Sequence, residues 1–114
     1  MLQRYRQDAH LSWNDFSQSG GTGAAQCTER FYPPSARVVA LSTDLFNKKH
    51  NCLKVVTIYY KRKKSTAMVV DQCAFEDGCP PNTIDASTQV WHDLGIYERN
   101  PIFGGMSVTW TMAS

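Results

Sequence analysis

The sequence predicts one mainly β domain, closed into a barrel, with one or two short helices and two disulfides. Three observations predict it. Separate runs are rich in β-branched and aromatic residues. The last run, Met106–Met112, alternates apolar and polar residues without a fault. One segment alone has clear helical periodicity. We count five or six strands, and a closed sheet is expected because it leaves no exposed edge.

Composition limits the class of protein. A chain of 114 residues forms one domain, and 42% apolar with 19% charged residues is typical of a globular protein. No apolar run approaches the roughly 18–20 residues of a membrane span. A net charge of +2 is too small to indicate nucleic acid. Residues 1–8 are polar and do not form a signal peptide, so we expect a tail there, the domain at 9–114, and a secreted protein in mature form.

The first half of the chain predicts short elements joined by loops. His10–Phe16 is a short strand candidate with Leu11 and Trp13 on one face. The glycine-rich segment Ser17–Ala25 is a loop, and it is not a phosphate loop because no Lys-Ser/Thr follows. Further on we expect a strand buried on both faces, one helical turn and a solvated loop, at Arg37–Ser42, Thr43–Phe46 and Asn47–Asn51.

A hairpin is the clearest local structure. Leu53–Tyr60 and Thr66–Val70 favour strands, with the charged run Lys61–Lys64 as a four-residue tip. That loop length places Tyr60 opposite Ser65, and Val56 opposite Val69. The same register pairs Lys54 with Asp71, and Cys52 with Cys73.

Four cysteines without a CxxC spacing favour disulfides over zinc, so we expect no metal. Facing residues of an antiparallel pair have a separation that a disulfide accepts. The hairpin register therefore predicts Cys52–Cys73, which leaves Cys27–Cys79. An even count in a small chain also indicates an oxidising compartment.

The last third predicts a helix and a final strand. Asp85–Gly95 has Val90, Trp91 and Leu94 on one face, and Gly95 is a natural terminator. In the strand Met106–Met112 the alternation turns one set of side chains inward, namely Met106, Val108, Trp110 and Met112.

An ordered series of motifs resembles kiwellins and plant ripening-related proteins over roughly residues 9–113, and its Val-Asp-Gln-Cys piece is also similar to barwin. The series comprises Asn14–Phe16, Gly20-Gly21, Val38–Thr43, Val69–Cys73, Gly78-Cys79, Asn82–Ser87, Val90-Trp91, Leu94-Gly95 and Val108–Trp110. The resemblance implies an extracellular, six-stranded double-psi β-barrel, distantly shared with expansins and one group of endoglucanases. In two respects the chain departs from the family: Thr22–Gln26 replaces its Asp-Gly-Gly-Gly-Pro loop, and the cysteine-rich N-terminal module of longer kiwellins is absent.

The same resemblance implies a function. It indicates a secreted, non-enzymatic protein of plant defence that binds another secreted protein through its loops, since some kiwellins inhibit chorismate mutases of fungal pathogens. The alternative, by analogy of fold alone, is a carbohydrate-binding or weakly glycan-hydrolysing module of the cell wall. Neither hypothesis requires a cofactor, a membrane or nucleic acid.

Two carboxylates are the candidates for catalysis if the chain is an enzyme. Asp71 suits a general acid or base, or a structural acid that accepts backbone N–H bonds or faces Lys54. Asp85 stands where expansins and glycan-cleaving barrels would place their key acid, or it caps the following helix. Glycan cleavage needs two carboxyls at one sugar bond, and the sequence leaves open whether these two face each other.

The candidates for partner binding lie in loops, where variation is tolerated. They are Lys48, Lys49, His50, Tyr97, Arg99, Ile102 and Phe103. Ile102 and Phe103 have an alternative role as a plug of the core. Trp13 is a candidate platform for carbohydrate, whereas Trp91 and Trp110 belong to core faces. The run Lys61–Lys64 is either solvated or the contact for an acidic partner.

Overall fold

The computed structural model describes residues 5–97 and 106–113, so the predicted partner residues Arg99, Ile102 and Phe103 lie outside the described residues. The six strands are β1 Gln7–Trp13, β2 Val38–Ser42, β3 Val55–Tyr60, β4 Lys63–Cys73, β5 Thr83–Ala86 and β6 Met106–Met112. The helices are α1 Thr43–Phe46 and α2 Thr88–Asp93, with 3₁₀ turns at Gln18–Gly20 and Phe75–Asp77. Within these ranges, no helix has the length and apolar character to cross a membrane. Strand β1 begins at Gln7, so two residues of the expected tail belong to the sheet.

The strands close into a barrel in the order β1-β5-β2-β4-β3-β6. Two neighbouring pairs are parallel, β1 with β5 and β2 with β4, and the other four are antiparallel. Because parallel strands cannot be joined by a tight hairpin, the chain needs long connections between them. The connection that follows β2 contains the loop with Lys48, Lys49 and His50, three of the predicted partner residues.

Apolar side chains fill the barrel, and a second layer covers part of its outside. The central cluster is formed by inward residues of every strand together with Phe46, Val90 and Trp91 from the two helices and Leu94 directly after α2. Phe16, Ala25 and Val70 belong to a smaller cluster outside β2 and β4. All five residues of β2 are buried, which confirms the prediction of a strand covered on both faces. Trp91 and Trp110 lie in the core, as expected.

The hairpin confirms the two strands but not their predicted register. Tyr60 pairs with Lys63, so the turn has two residues, Lys61 and Arg62, and Lys61 has a φ of 55°. Each partner therefore shifts by two positions from the prediction, and Val56 faces Ala67. Lys63 and Lys64 are exposed strand residues. The sequence predicted a loop there because charged residues are typical of loops. A shift of two leaves every side chain on its predicted face, so the pattern of burial could not reveal the error.

The predicted disulfide pairing is wrong. The bonds are Cys27–Cys52 and Cys73–Cys79, each with a Cα–Cα separation of 5.6 Å. Cys52 precedes β3 and has no partner in the ladder. The 3₁₀ turn after Cys73 returns the chain so that the Cys79 N–H donates to Ala74 O at 3.1 Å.

Asp85 does not cap the helix, contrary to one of its two predicted roles. It lies in β5, and α2 begins at Thr88 with Ser87 in the N-cap position. The Ser87 hydroxyl donates to the Ala36 carbonyl at 2.6 Å, and its oxygen accepts no backbone N–H from the helix. The prediction that a polar residue precedes the helix was therefore correct, but that residue is Ser87, two positions after the predicted Asp85.

Asp93, the last residue of α2, ties that helix to the barrel. Its carboxylate accepts hydrogen bonds from Arg37 Nε and Nη2 at 2.6 and 3.0 Å, from Ser65 Oγ at 2.7 Å and from Gln89 Nε2 at 3.0 Å. The Arg37 hydrogen bond is the main cause that lowers the pKa of Asp93 to about 2. One carboxylate thus joins α2 to the start of β2 and to β4.

We expect Asp93→Asn to lower the free energy of unfolding at pH 7 by about 1–2 kcal/mol, because the charged acceptor is lost. The loss is no larger because Arg37 is half exposed and solvent screens its charge. Since the pKa of Asp93 is below its ordinary 3.8, the wild-type advantage is present above that pH and disappears as the pH falls towards 2. Urea titrations of wild type and Asp93→Asn at pH 7 and pH 2.5 measure this difference in the free energy of unfolding. Glu76→Gln, an exposed control, should change neither value; equal stability of wild type and Asp93→Asn at pH 7 would contradict the role.

Candidate functional site

The two candidate acids lie on either side of one small residue. Ala40 on β2 pairs with Asp71 on β4 and with Asp85 on β5. Paired residues of neighbouring strands project to the same face of a sheet, so both carboxylates rise beside the Ala40 methyl group. They line a common groove of about 310 Å³. The structure therefore brings together the two acids whose relative placement the sequence left open.

Asp71 has the structural contacts that the sequence predicted for it. Its Oδ1 accepts the backbone N–H groups of Gln26 at 3.0 Å and Gln72 at 2.8 Å. Lys54 lies before β3 and does not face it, because the predicted register is wrong. Burial raises the pKa of Asp71, and the two N–H donors oppose that rise.

Asp85 is more deeply buried, with 8% of its surface exposed. The Ser12 hydroxyl donates to its Oδ1 at 2.8 Å, and the Trp91 indole N–H donates to the Ser12 carbonyl at 3.1 Å. Burial raises the pKa of Asp85 to about 6; the Ser12 hydrogen bond opposes this, and the charge of Asp71 adds to it. The groove thus holds one acid that exchanges its proton near pH 6 beside another fixed by backbone donors.

The glycine-rich segment forms one wall of this groove. Thr22, Ala24 and Gln26 line it, and the Cys27 N–H donates to the Val70 carbonyl at 2.9 Å. Gly20 is required at the start of the wall because a Cβ there would lie 2.1 Å from the Asp15 carbonyl oxygen. Among the described residues that line the groove, none is aromatic.

Trp13, the candidate platform for carbohydrate, is not among the described residues that line the groove. Its side chain is half-buried against the core, and its indole N–H donates to Thr88 Oγ1 at 2.9 Å. The structure therefore separates Trp13 from the two acids and gives it a packing contact with α2.

A second region, residues 47–54, is held in an unusual backbone conformation; we call it the anchored loop. Asn47, Lys48, Lys49 and Leu53 all have positive φ, between 53° and 72°. Left-handed backbone costs a residue with a side chain roughly 1–2 kcal/mol, so the surroundings must hold it.

Several contacts supply that restraint. The Asn51 side-chain amide donates to the Leu45 carbonyl at 2.7 Å, and the Leu53 N–H donates to the Val69 carbonyl at 2.7 Å. The disulfide Cys27–Cys52 fastens the loop to the wall of the groove. The loop exposes Lys48, Lys49 and His50, three of the predicted partner residues, and also Leu53, which is 52% exposed.

Leu53 was missed as a surface residue because its apolar side chain resembled the start of a strand. Its positive φ, which has no signature in the sequence, turns it outwards. Tyr97, another predicted partner residue, is 69% exposed and contacts the His92 ring at 4.9 Å between centroids, beyond α2. The structure thus groups the three loop residues and places Tyr97 on a different element.

The family model described as Kiwellin-1 matches residues 5–113. The chain belongs to the kiwellin family. It is 38% identical to kiwellin of Actinidia chinensis var. chinensis and 41% identical to ripening-related protein 3 of Oryza sativa subsp. japonica, each over 92% of this chain and 54% of the relative. Ripening-related protein grip22 of Vitis vinifera is 37% identical, over 92% of this chain and 52% of the relative. The chain therefore spans about half the length of these relatives.

Solved structures confirm the double-psi β-barrel. The apo expansin of Clavibacter michiganensis superposes with a TM-score of 0.74 at 16% identity, covering 96% of this chain and 51% of the expansin. The Streptomyces papain inhibitor superposes with a TM-score of 0.61 at 18% identity, covering 98% of this chain and 96% of the inhibitor. At these identities the likeness concerns the fold alone.

We expect Asp85 to destabilise the folded chain as the pH rises. Its pKa is raised from 3.8 to about 6, so its contribution to stability is full below pH 3.8 and is lost as the pH rises through 6. Asparagine carries no charge, so Asp85→Asn should remove up to about 3 kcal/mol of this pH-dependent loss in the free energy of unfolding. Unfolding titrations at pH 4 and 7 measure it, with exposed Asp77→Asn as the control in the same groove. Parallel pH profiles for wild type and Asp85→Asn would contradict the placement of the acid.

Proposed function

We propose that this chain is a secreted, non-enzymatic protein that binds another secreted protein through the anchored loop. The observation that carries the proposal is the restraint on that loop, whose left-handed residues are fixed by hydrogen bonds and a disulfide. Strained backbone persists only where the fold enforces it, and it concentrates at binding and active sites. A loop already held in one conformation loses little entropy on binding, which favours tight complexes.

The surface of the loop has the composition of a protein interface. Leu53 in the loop and Val55 at the start of β3 are exposed apolar residues, at 52% and 45%, and they follow Lys48, Lys49 and His50 in the chain. An apolar centre contributes most of the affinity in such interfaces, while charges at the rim speed encounter with an oppositely charged partner. The partner is therefore expected to present an acidic rim around an apolar depression.

The specific partner that we propose is a chorismate mutase secreted by a fungal pathogen, following the resemblance to kiwellins that inhibit such enzymes. The Streptomyces papain inhibitor supports the general idea, because it superposes on this chain over nearly its whole length and is named as an inhibitor of an enzyme. Secretion is part of the proposal and agrees with the two disulfides, which persist in oxidising compartments.

Leu53→Gly separates binding from folding. Glycine tolerates the positive φ, so the free energy of unfolding should stay the same or rise by up to about 1 kcal/mol. Loss of an apolar anchor should weaken binding to a panel of secreted fungal chorismate mutases by about tenfold or more, measured by calorimetry. Thr66→Gly, an exposed residue of β4 away from the loop, is the control and should leave affinity unchanged.

Two results would contradict the proposal. One is that the wild-type chain binds no member of the panel. The other is that a member binds both Leu53→Gly and the double variant Lys48→Gln/Lys49→Gln as tightly as it binds wild type, because the contact would then lie elsewhere.

A second candidate function, glycan binding or weak hydrolysis, is favoured by one observation. Asp71 and Asp85 line the same groove, and their surroundings differ in the way that an acid–base pair requires. The groove lacks aromatic rings among its described lining residues, and Asp71 already accepts two backbone donors, so this candidate ranks second. Release of reducing ends from cellohexaose by wild type, but not by Asp85→Asn, would establish it over the binding function.

A further inference from the structure

A strongly cationic surface surrounds the hairpin turn, at the end of β3 opposite the anchored loop. It consists of Arg6, Lys61, Arg62, Lys63 and Lys64, and we call it the hairpin cluster. All five side chains belong to exposed residues. The one ion pair among the described residues is Arg37–Asp93, so no described carboxylate lies within 4.0 Å of any charge in the cluster. These are five of the twelve Lys and Arg residues in a chain whose net charge is only +2.

Neighbouring side chains and backbone hold several of these cations in place. The Arg6 Cζ atom lies 3.7 Å from the centroid of the Tyr59 ring, and the Lys61 ammonium lies 5.2 Å from that of Tyr60. Both contacts are within the range of cation–π attraction. The stem of Lys63 packs so closely on Gly95 that a Cβ there would lie 2.9 Å from it. The cluster is therefore more ordered than five free surface side chains.

The cluster occupies an extended open track. Three depressions of about 270, 330 and 430 Å³ all include Lys61, so they adjoin one another. The first reaches Ser107 and Thr109 on β6, and the last reaches Leu94 and Gly95 after α2. The track thus crosses the side of the barrel and passes the hairpin turn. Its cations are those of the hairpin cluster, and Asp8 is the one acid that lines it among the described residues.

We propose that this track binds a linear polysaccharide that carries carboxylate groups, a polyuronate. Ordered cations spaced along an open track suit a chain with repeated negative charges, and the Ser107 and Thr109 hydroxyls can exchange hydrogen bonds with sugar hydroxyls. Each ion pair between exposed charges is weak, so useful affinity needs several of them at once. A polymer with repeated charges supplies those contacts together.

Two other classes of polyanion fit the track less well. Proteins that hold single-stranded nucleic acid stack bases on open aromatic faces, but Arg6 and Lys61 each cover a face of the tyrosine beside them. Protein interfaces need a desolvated apolar centre, and none of the exposed large apolar residues that the structure describes lines the three depressions. The track is distinct from the anchored loop and does not depend on the function proposed for it.

The experiment compares two variants with the same loss of charge. Lys61→Gln/Arg62→Gln removes two cations from the hairpin cluster, and Lys48→Gln/Lys49→Gln removes two from the anchored loop. With polygalacturonate oligomers as the probe, we expect the first variant to bind about five- to tenfold more weakly than wild type, the loss expected for two exposed ion pairs. The second should bind as wild type does. Equal weakening of both variants would overturn the proposal, because net charge alone would then explain binding.

The ligand is varied in the same way. Fully methyl-esterified polygalacturonate has the same sugars without the charges, so it should not bind measurably, and affinity for the acidic form should fall as salt is raised. Equal binding of the esterified polymer would overturn the proposal. So would tighter binding of a single-stranded oligonucleotide or an acidic peptide of equal charge at the same ionic strength.

Variants of Tyr59 test the ordering of the cluster. Tyr59→Phe keeps the ring beneath Arg6 and should retain the wild-type affinity for polygalacturonate, whereas Tyr59→Leu removes the ring and should weaken it about threefold. Thermal unfolding confirms that both variants fold. Equal affinity of the Leu and Phe variants would show that the ring does not position Arg6 for the ligand.

Discussion

Three consecutive residues of β4 hold the wall of the candidate groove and the anchored loop. The Val69 carbonyl accepts the N–H of Leu53, the Val70 carbonyl accepts that of Cys27, and the Asp71 carboxylate accepts that of Gln26. Two loops are thereby fixed to one strand, and the disulfide Cys27–Cys52 joins them to each other. Because β4 is itself paired on both sides in a closed barrel, it gives these loops a rigid base.

This arrangement explains why the two candidate acids differ. Asp71 is committed to the loop that it holds, so replacing it would disturb the wall of the groove as well as any chemistry. Asp85 has one hydroxyl donor and deep burial, so it bears the cost of desolvation as a raised pKa. Structural hydrogen-bond networks also perturb pKa values, so a carboxylate pair of this kind is weak evidence for catalysis by itself.

The sequence predicted five of the six strands, the two helices and the inward faces, because those depend on local pattern. It did not predict β5, because Asp85 and Ala86 were assigned to the following helix. The bounds of β6 agree with the prediction, and so does the complete burial of β2. The register of the hairpin was wrong because Lys63 and Lys64 have the composition of a loop but occupy an exposed strand end. The predicted disulfide pairing was wrong for the same reason, because it was derived from that register. Neither the left-handed backbone of Lys48 to Lys49 nor the pairing of Ala40 with both acids has a local signature, since each depends on contacts distant in the chain.

We propose that the anchored loop has its binding conformation before any partner arrives. Backbone ¹⁵N relaxation of the free chain tests this directly, residue by residue over 47–54. We predict order parameters of about 0.85, equal to those of β4, because the disulfide and the bonds to Leu45 and Val69 restrain the loop. Order parameters below about 0.6 at Lys48, Lys49 and His50 would contradict the claim, since the loop would then have to become ordered on binding.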